Sequence, residues 1–335
     1  ALKQTHMVRD ALEALGHPTE VVTFSTVGDE RLDVPLPAIG GKGVFTAELE
    51  AALLGGGVDL CVHSLKDLPA EPPAGLDVGA VLPREDPRDA LLIRADVQAT
   101  AKTLQELPAG ARVGTSSLRR TALLRQLRPD LQLVDLRGNV PTRVKKLDDG
   151  NMEAIILAGA GLKRLELDGR ITQWLEPPSW LPAPAQGVIA IQIRRDDTFI
   201  RDLLSHVHDE ASWQAAVSER AFLNTLEGGC QVPVGALAVA RDGALWLTAS
   251  SSTSMAVAPH AGASGSTAPG RRRRRRRGRS WPPRCSSRGG RRSSRAPVRW
   301  PPPTSPNERT MADAMTTFPT MRLRRLRQSA GLRAL

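Results

Sequence analysis

The chain has 335 residues and a formal net charge of +11; that length allows two or three domains with an ample core, and no apolar run is long enough to cross a bilayer, so it reads as a soluble protein without a membrane partner. The charge is unevenly divided: from Ser251 onward there are 20 arginines, no lysine and 2 acidic residues, which leaves 26 basic and 33 acidic residues in the first 250. The body is therefore mildly acidic, and nucleic-acid binding could rest on the tail alone.

Short apolar runs alternate with helical patterns, which predicts an α/β protein with parallel or mixed sheets. The first predicted strand is "EVVTF" (20–24). Phe45, Leu49, Ala52 and Leu53 then share one face of a helix. Strands follow at "VDLCVH" (58–63), "LDVGAV" (76–81) and "ALLIR" (90–94), and another ends at Gly114. Leu118, Ala122, Leu123 and Leu127 form a helical stripe after "GTSS". Further strands are "LQLVD" (131–135), "EAIILA" (153–158) and "VIAIQI" (188–193). The prolines of "EPPSWLPAPAQG" (176–187) mark a crossover between two lobes. A helix across "ASWQAAVSERAFL" (211–223) and strand-like runs at 234–240 and 245–249 begin a third, smaller α/β domain. Beyond Ser252 the Arg, Pro, Ser and Gly residues have no apolar periodicity and cannot offset their ordering entropy. That tail reads either as a phosphate-binding arm or as the frameshifted end of a GC-rich gene, the second being preferred.

Of the three cysteines, Cys61 falls in a strand predicted to be buried, Cys285 in the arginine-rich tail, and Cys230 between glycines in "LEGGCQVPVGA". No pairing suggests a structural disulfide or a zinc site, which fits a reducing cytosol. The glycines before Cys230 let backbone or a bulky group approach its sulfur.

Polar residues concentrate where predicted strands end. "VHSLKDLP" supplies His63, Ser64, Lys66 and Asp67; "GTSSLRR" supplies Thr115, Ser116, Ser117, Arg119 and Arg120; "LRGNVPTR" adds Arg137 and Arg143, and "AGLKRL" adds Arg164. Ligands of open α/β sheets bind at such carboxyl ends, and guanidiniums grip carboxylates in paired hydrogen bonds. The cluster suits a polycarboxylate; phosphates fit almost as well, although no Walker-type loop is present. Asp67, an anion among cations, would either pair with a neighbouring cation or hold positive charge on a substrate.

These stretches, with "IGGKGVFTAELEAAL", "REDPRDA", "AIILAGAGLKRL" and "LPAPAQG", resemble the successive signatures of the porphobilinogen deaminase (hydroxymethylbilane synthase) family over roughly residues 1–250. The resemblance implies two lobes like those of periplasmic binding proteins: residues 1–83 with 188–205, lacking a first strand that ends in Arg-x-Ser, and residues 84–187. It also implies a partial cofactor-attachment domain at 206–252, leaving 253–335 as a disordered or frameshifted tail. It implies a dipyrromethane cofactor held through Cys230, Asp67 as the catalytic carboxylate, and cofactor or substrate contacts from Lys42, Ser64, Lys66, Thr115, Ser117, Arg119, Arg120, Arg137, Arg143, Arg164 and Gln186. The implied reaction is tetrapolymerisation of porphobilinogen to hydroxymethylbilane with loss of ammonia, by a cytoplasmic monomer that hands its product to the next enzyme of tetrapyrrole biosynthesis. An inactive homologue, or an organic-anion binder of the same fold, is the alternative. The resemblance further implies a mobile loop at about 29–41, an exposed sheet edge in the first lobe and uncovered apolar surface around Trp246.

Overall fold

The computed structural model describes residues 1–24, 46–226 and 233–251, and the backbone of 318–323. Two five-stranded sheets, the first antiparallel and the second mixed, and a hairpin carry the chain.

The first sheet holds β1 (Thr19–Phe24), β2 (Leu60–Ser64), β3 (Leu76–Val81), β9 (Ile189–Arg194) and β12 (Phe318–Leu323), in the order β1-β12-β2-β9-β3. β9 runs antiparallel to β2 and β3. Its "IAIQI" run is buried throughout, because sheet neighbours and packed helices leave neither face to water. α1 (Leu2–Ala14) brings Val8 and Leu12 onto this sheet, and α6 (Thr198–Leu204) brings Ile200, Leu203 and Leu204. α2 (Ala47–Leu54) packs Leu49 and Leu53 with Cys61 and Leu76. Burial of side chains of this size contributes roughly 1.5–3 kcal/mol each.

Strand β12 departs from the sequence reading. The tail was expected to contribute no packed structure and the first lobe to present an open edge. Instead residues 318–323 lie between β1 and β2, antiparallel to both, with six pairs to β1 and Thr320 and Met321 opposite Cys61 and Leu60. The physical reason is the backbone: strands on either side leave two rows of N–H and C=O groups that an extended segment satisfies whatever its side chains.

The second sheet holds β4 (Asp89–Ile93), β5 (Arg112–Gly114), β6 (Gln132–Val134), β7 (Ala154–Ala158) and β8 (Gln173–Leu175), in the order β6-β5-β7-β4-β8. β5 is parallel to β6 and β7, whereas β4 is antiparallel to β7 and β8. The two central strands are buried on both faces. Leu91, Ile93, Ala154 and Ile156 face one core, and Ala90, Leu92, Ile155 and Leu157 the other. That is why "ALLI" and "AIIL" read as continuous apolar runs rather than as alternation. Helices α3 (Leu118–Leu127), α4 (Val140–Asp148) and α5 (Gly159–Arg164) follow β5, β6 and β7.

The chain crosses between the sheets twice, at 82–88 and 176–188, and the crossings run side by side. Leu82 N–H donates to Ile189 O and Glu85 N–H to Gly187 O. Gly187 has φ +90°, and a Cβ there would stand 2.3 Å from Glu85 O, so only glycine allows the approach. Helix α7 (Glu210–Thr225) and the hairpin β10 (Val234–Arg241) with β11 (Ala244–Ser251) complete the described chain. Trp246 is exposed on that hairpin, as the sequence reading expected.

Candidate active site

Asp89 opens β4 and is fully buried. Arg119 and Arg120, in the first turn of α3, reach it because Ser117 caps that helix and turns its opening residues toward the strand ends; the Ser117 hydroxyl accepts from the Arg120 N–H. Arg120 grips the carboxylate with Nε at 3.1 Å and Nη2 at 2.7 Å, and Arg119 Nη2 donates at 2.8 Å. Trp180 Nε1 and Gln186 Nε2, both from the second crossing, donate at 2.8 Å. Burial alone would raise the Asp89 carboxyl, but the two guanidiniums overcome it and hold it well below the usual carboxylate range.

Gln186 passes the connection to the other sheet. Its Oε1 accepts from Lys66 Nζ at 3.3 Å. Lys66 lies with Asp67 in a single 3-10 turn, Leu65–Asp67, directly after β2. Burial pushes the Lys66 ammonium down to about 8, against support from Asp67. Asp67 is exposed and, among the described residues, has no hydrogen bond or ion pair; its charge is felt at Lys66 and at Arg143. Arg143, in α4, is held near Gly138 O by its Nε at 2.6 Å, and burial followed by Arg120 lowers it to about 10.

Arg164 ends α5 rather than a strand, and its Nη2 donates to Gly187 O at 2.6 Å; burial lowers it to about 10. The buried Nε atoms of Arg119 and Arg164 have no hydrogen-bond partner among the described residues. Burying a guanidinium N–H without an acceptor costs free energy that an incoming carboxylate recovers. Side chains from the ends of two sheets thus form a strongly cationic cleft, with the exposed carboxylate of Asp67 beside it.

The "Porphobilinogen deaminase, dipyromethane cofactor binding domain" family matches residues 1–202, and "Porphobilinogen deaminase, C-terminal domain" matches residues 213–253. The porphobilinogen deaminase of Syntrophobacter fumaroxidans is 50% identical over 250 residues, covering 74% of this chain and 79% of that protein. That of Roseiflexus sp. (strain RS-1) is 54% identical over 241 residues, covering 71% and 78%. The chain belongs to the porphobilinogen deaminase family. Among solved structures, the methionine binding protein MetQ is 16% identical with a TM-score of 0.34, covering 52% of this chain and 80% of that one.

Of the residues to which the sequence assigned porphobilinogen deaminase roles, Lys66, Asp67, Arg119, Arg120, Arg143 and Gln186 gather in the cleft. Arg137 precedes α4, close enough for its charge to act on Arg143. Thr115 is buried at the end of β5, where its hydroxyl accepts from Ser117 N–H at 3.2 Å. Ser64 closes β2, and its hydroxyl accepts from Gln4 Nε2 at 2.9 Å. Thr115, Ser117 and Ser64 therefore shape the loops that present the cations. Lys42, the 29–41 loop and Cys230 lie outside the described residues. Cys61 is buried in β2, with its thiol donating to Leu49 O.

Sequence reasoning missed Asp89 and Glu219. Asp89 stands at the head of a fully buried strand, and an acid in such a run needs cationic partners, so "RDALLI" together with "SLRR" was a readable signal. Glu219 sits on one face of α7, and its spacing carries no comparable cue.

The Lys66 value sets a pH dependence. Its folded-state pKa is depressed from 10.5 to about 8, so the fold carries the cost of the buried ammonium below about pH 8 and sheds it as pH rises toward 10.5. The charge that attracts carboxylates is lost over the same window. The KM for porphobilinogen should therefore climb above about pH 8, and Lys66→Arg should flatten that climb. Steady-state kinetics from pH 7 to 9.5 on both proteins check this; identical profiles would remove Lys66 from the site.

Proposed function

We propose that this cleft carries out the stepwise tetrapolymerisation of porphobilinogen to hydroxymethylbilane, with release of ammonia, in tetrapyrrole (porphyrin and heme) biosynthesis, with Asp67 as catalytic carboxylate and Cys230 as the attachment point of dipyrromethane. The observation that carries the reading is the hydrogen-bonded run from Lys66 through Gln186 and Asp89 to Arg119 and Arg120, with Asp67 left uncommitted beside it.

The residues present fit the cofactor. Its acetate and propionate groups are carboxylates of the kind guanidiniums bind, and the Nε atoms of Arg119 and Arg164 are donors lacking an acceptor among the described residues. Arg119, Arg120, Arg137, Arg143 and Arg164 would hold those carboxylates, with Lys42, Ser64, Thr115, Ser117 and Gln186 in support. Dipyrromethane, when bound, supplies the pyrrole carbon to which incoming substrate is joined. Asp67 accepts hydrogen bonds from pyrrole N–H groups and stabilises the positive charge that develops on porphobilinogen as ammonia departs. A carboxylate fixed by a short turn performs this without reorganising at the moment of reaction.

The same reading takes residues 1–83 with 188–205 and residues 84–187 as the two lobes, and 206–252 as the attachment domain. The buried free thiol of Cys61 fits a cytoplasmic setting, and the reading takes the protein as a monomer that releases product to the next enzyme of the pathway. No described helix is long and apolar enough to cross a membrane.

The test is an intact mass of the purified chain together with an assay for hydroxymethylbilane. The parent is expected to carry two added pyrrole units and to form product. Cys230→Ser should lose both the added mass and the activity, and retention of either by that variant would overturn the attachment site.

A further inference from the structure

We propose that Asp89 is a positioning residue that sets the geometry of the carboxylate-binding groups from both sheets, a role resting on the reading of the cleft as the porphobilinogen site. Five hydrogen bonds from four side chains converge on its two oxygens. Three of those side chains are groups assigned to binding, and each is oriented by the bond it gives up. Arg120 has all three nitrogens engaged, two on Asp89 and Nη1 on Ile156 O. Arg119 commits Nη1 to Leu181 O and Nη2 to Asp89, which leaves Nε as the nitrogen without a partner. Gln186 spends its amide N–H groups on Asp89 and Pro87 O, so its carbonyl is the end turned toward Lys66.

The cluster is not explained by folding alone. Buried ion groups can often be exchanged for apolar side chains of similar volume without loss of stability. Nor is the cluster neutral: one carboxylate faces two guanidiniums, and Lys66 and Arg143 add their charges at close range. A single acid thus holds the cations still while leaving excess positive charge for an anion to complete. Binding groups that act alike on ground and transition states govern KM more than kcat.

The experiment compares the full chain with Asp89→Glu, Asp89→Asn and a control, Glu153→Gln. Asp89→Glu keeps the charge and moves it by one methylene. Glu153 anchors Arg112 and Arg94 at the opposite end of the second sheet, so its loss costs stability away from the cleft. Measurements are the KM and kcat for porphobilinogen, the fraction of chains carrying two pyrrole units by intact mass, calorimetric porphobilinogen binding and the melting midpoint. Asp89→Glu should melt within a few degrees of the parent, raise KM by roughly tenfold or more with kcat within about threefold, weaken porphobilinogen binding to match, and lower the cofactor-loaded fraction. Asp89→Asn should exceed it in each respect, and Glu153→Gln should lower the midpoint with KM unchanged. A folded Asp89→Glu with parental KM, binding and loading would overturn the proposal, as would a kcat-only loss, an unfolded Asp89→Glu, or an equal KM rise in Glu153→Gln. A parent chain that makes no hydroxymethylbilane would overturn the reading of the cleft instead. The binding comparison would still decide the role of Asp89.

Discussion

Asp67→Ala is expected to leave porphobilinogen binding largely intact while lowering turnover by on the order of a hundredfold or more. The expectation follows from what Asp67 does not do. Of the other acids near the cleft, Asp89 is committed to two arginines, Glu85 to Lys163 and Glu219 to Arg84, while Asp135 is felt at Arg143. Asp67 is exposed at the end of its 3-10 turn, without an ion pair or hydrogen bond among the described residues. Its removal should change stability by no more than roughly 0.5 kcal/mol, as for ordinary surface positions. Binding belongs to the cations, which the substitution leaves in place. What disappears is a negative charge beside Lys66, available to a substrate on which positive charge grows as ammonia leaves. Single-turnover rates and KM on a folded variant separate the two contributions. Product formation near the parental rate would remove Asp67 from the chemistry.

The strands that position this carboxylate were largely legible, because β2, β4, β7 and β9 are continuous apolar runs and Leu76–Val81 lies between turn-forming residues. Of the three-residue strands, β5 was read only by its end at Gly114, and β8 leaves too little pattern to read. Helices α1, α4 and α6 carry polar surfaces wide enough to mask their buried residues, which in α4 are only Val144 and Leu147. The cations of the site were legible as types and not as partners. "SLRR" announces two arginines, but only the fold shows that both turn onto Asp89, thirty residues earlier. Strand β12 was illegible for a different reason. Its place is decided by backbone groups on β1 and β2, and no side-chain pattern in residues 318–323 reports that need.

Glu219→Ala should be strongly destabilising, costing about 3–5 kcal/mol, because it leaves a buried guanidinium without its counter-charge. Glu219 is fully buried in α7, and its carboxylate joins three parts of the chain. Arg84 of the first crossing donates from Nη1 at 2.6 Å and Nη2 at 3.1 Å. Ala185 N–H of the second crossing donates at 2.6 Å, at a residue whose φ of +60° is otherwise unfavourable for alanine. Ala238 N–H of β10 donates at 2.7 Å. Removing the carboxylate therefore strands two backbone donors as well as Arg84. Glu219→Gln retains one acceptor oxygen and should cost distinctly less. Because the hairpin 234–251 loses its direct tie to α7, it should open below the global unfolding free energy, and its amides should exchange faster than those of β9. Cys230 lies between α7 and β10, so this loosening should also reduce the fraction of chains carrying dipyrromethane. Urea unfolding with hydrogen exchange on the parent and both variants tests each step. A Glu219→Ala protein within about 1 kcal/mol of the parent, with hairpin protection unchanged, would mean that the crossings and the hairpin are held together by apolar packing rather than by this carboxylate.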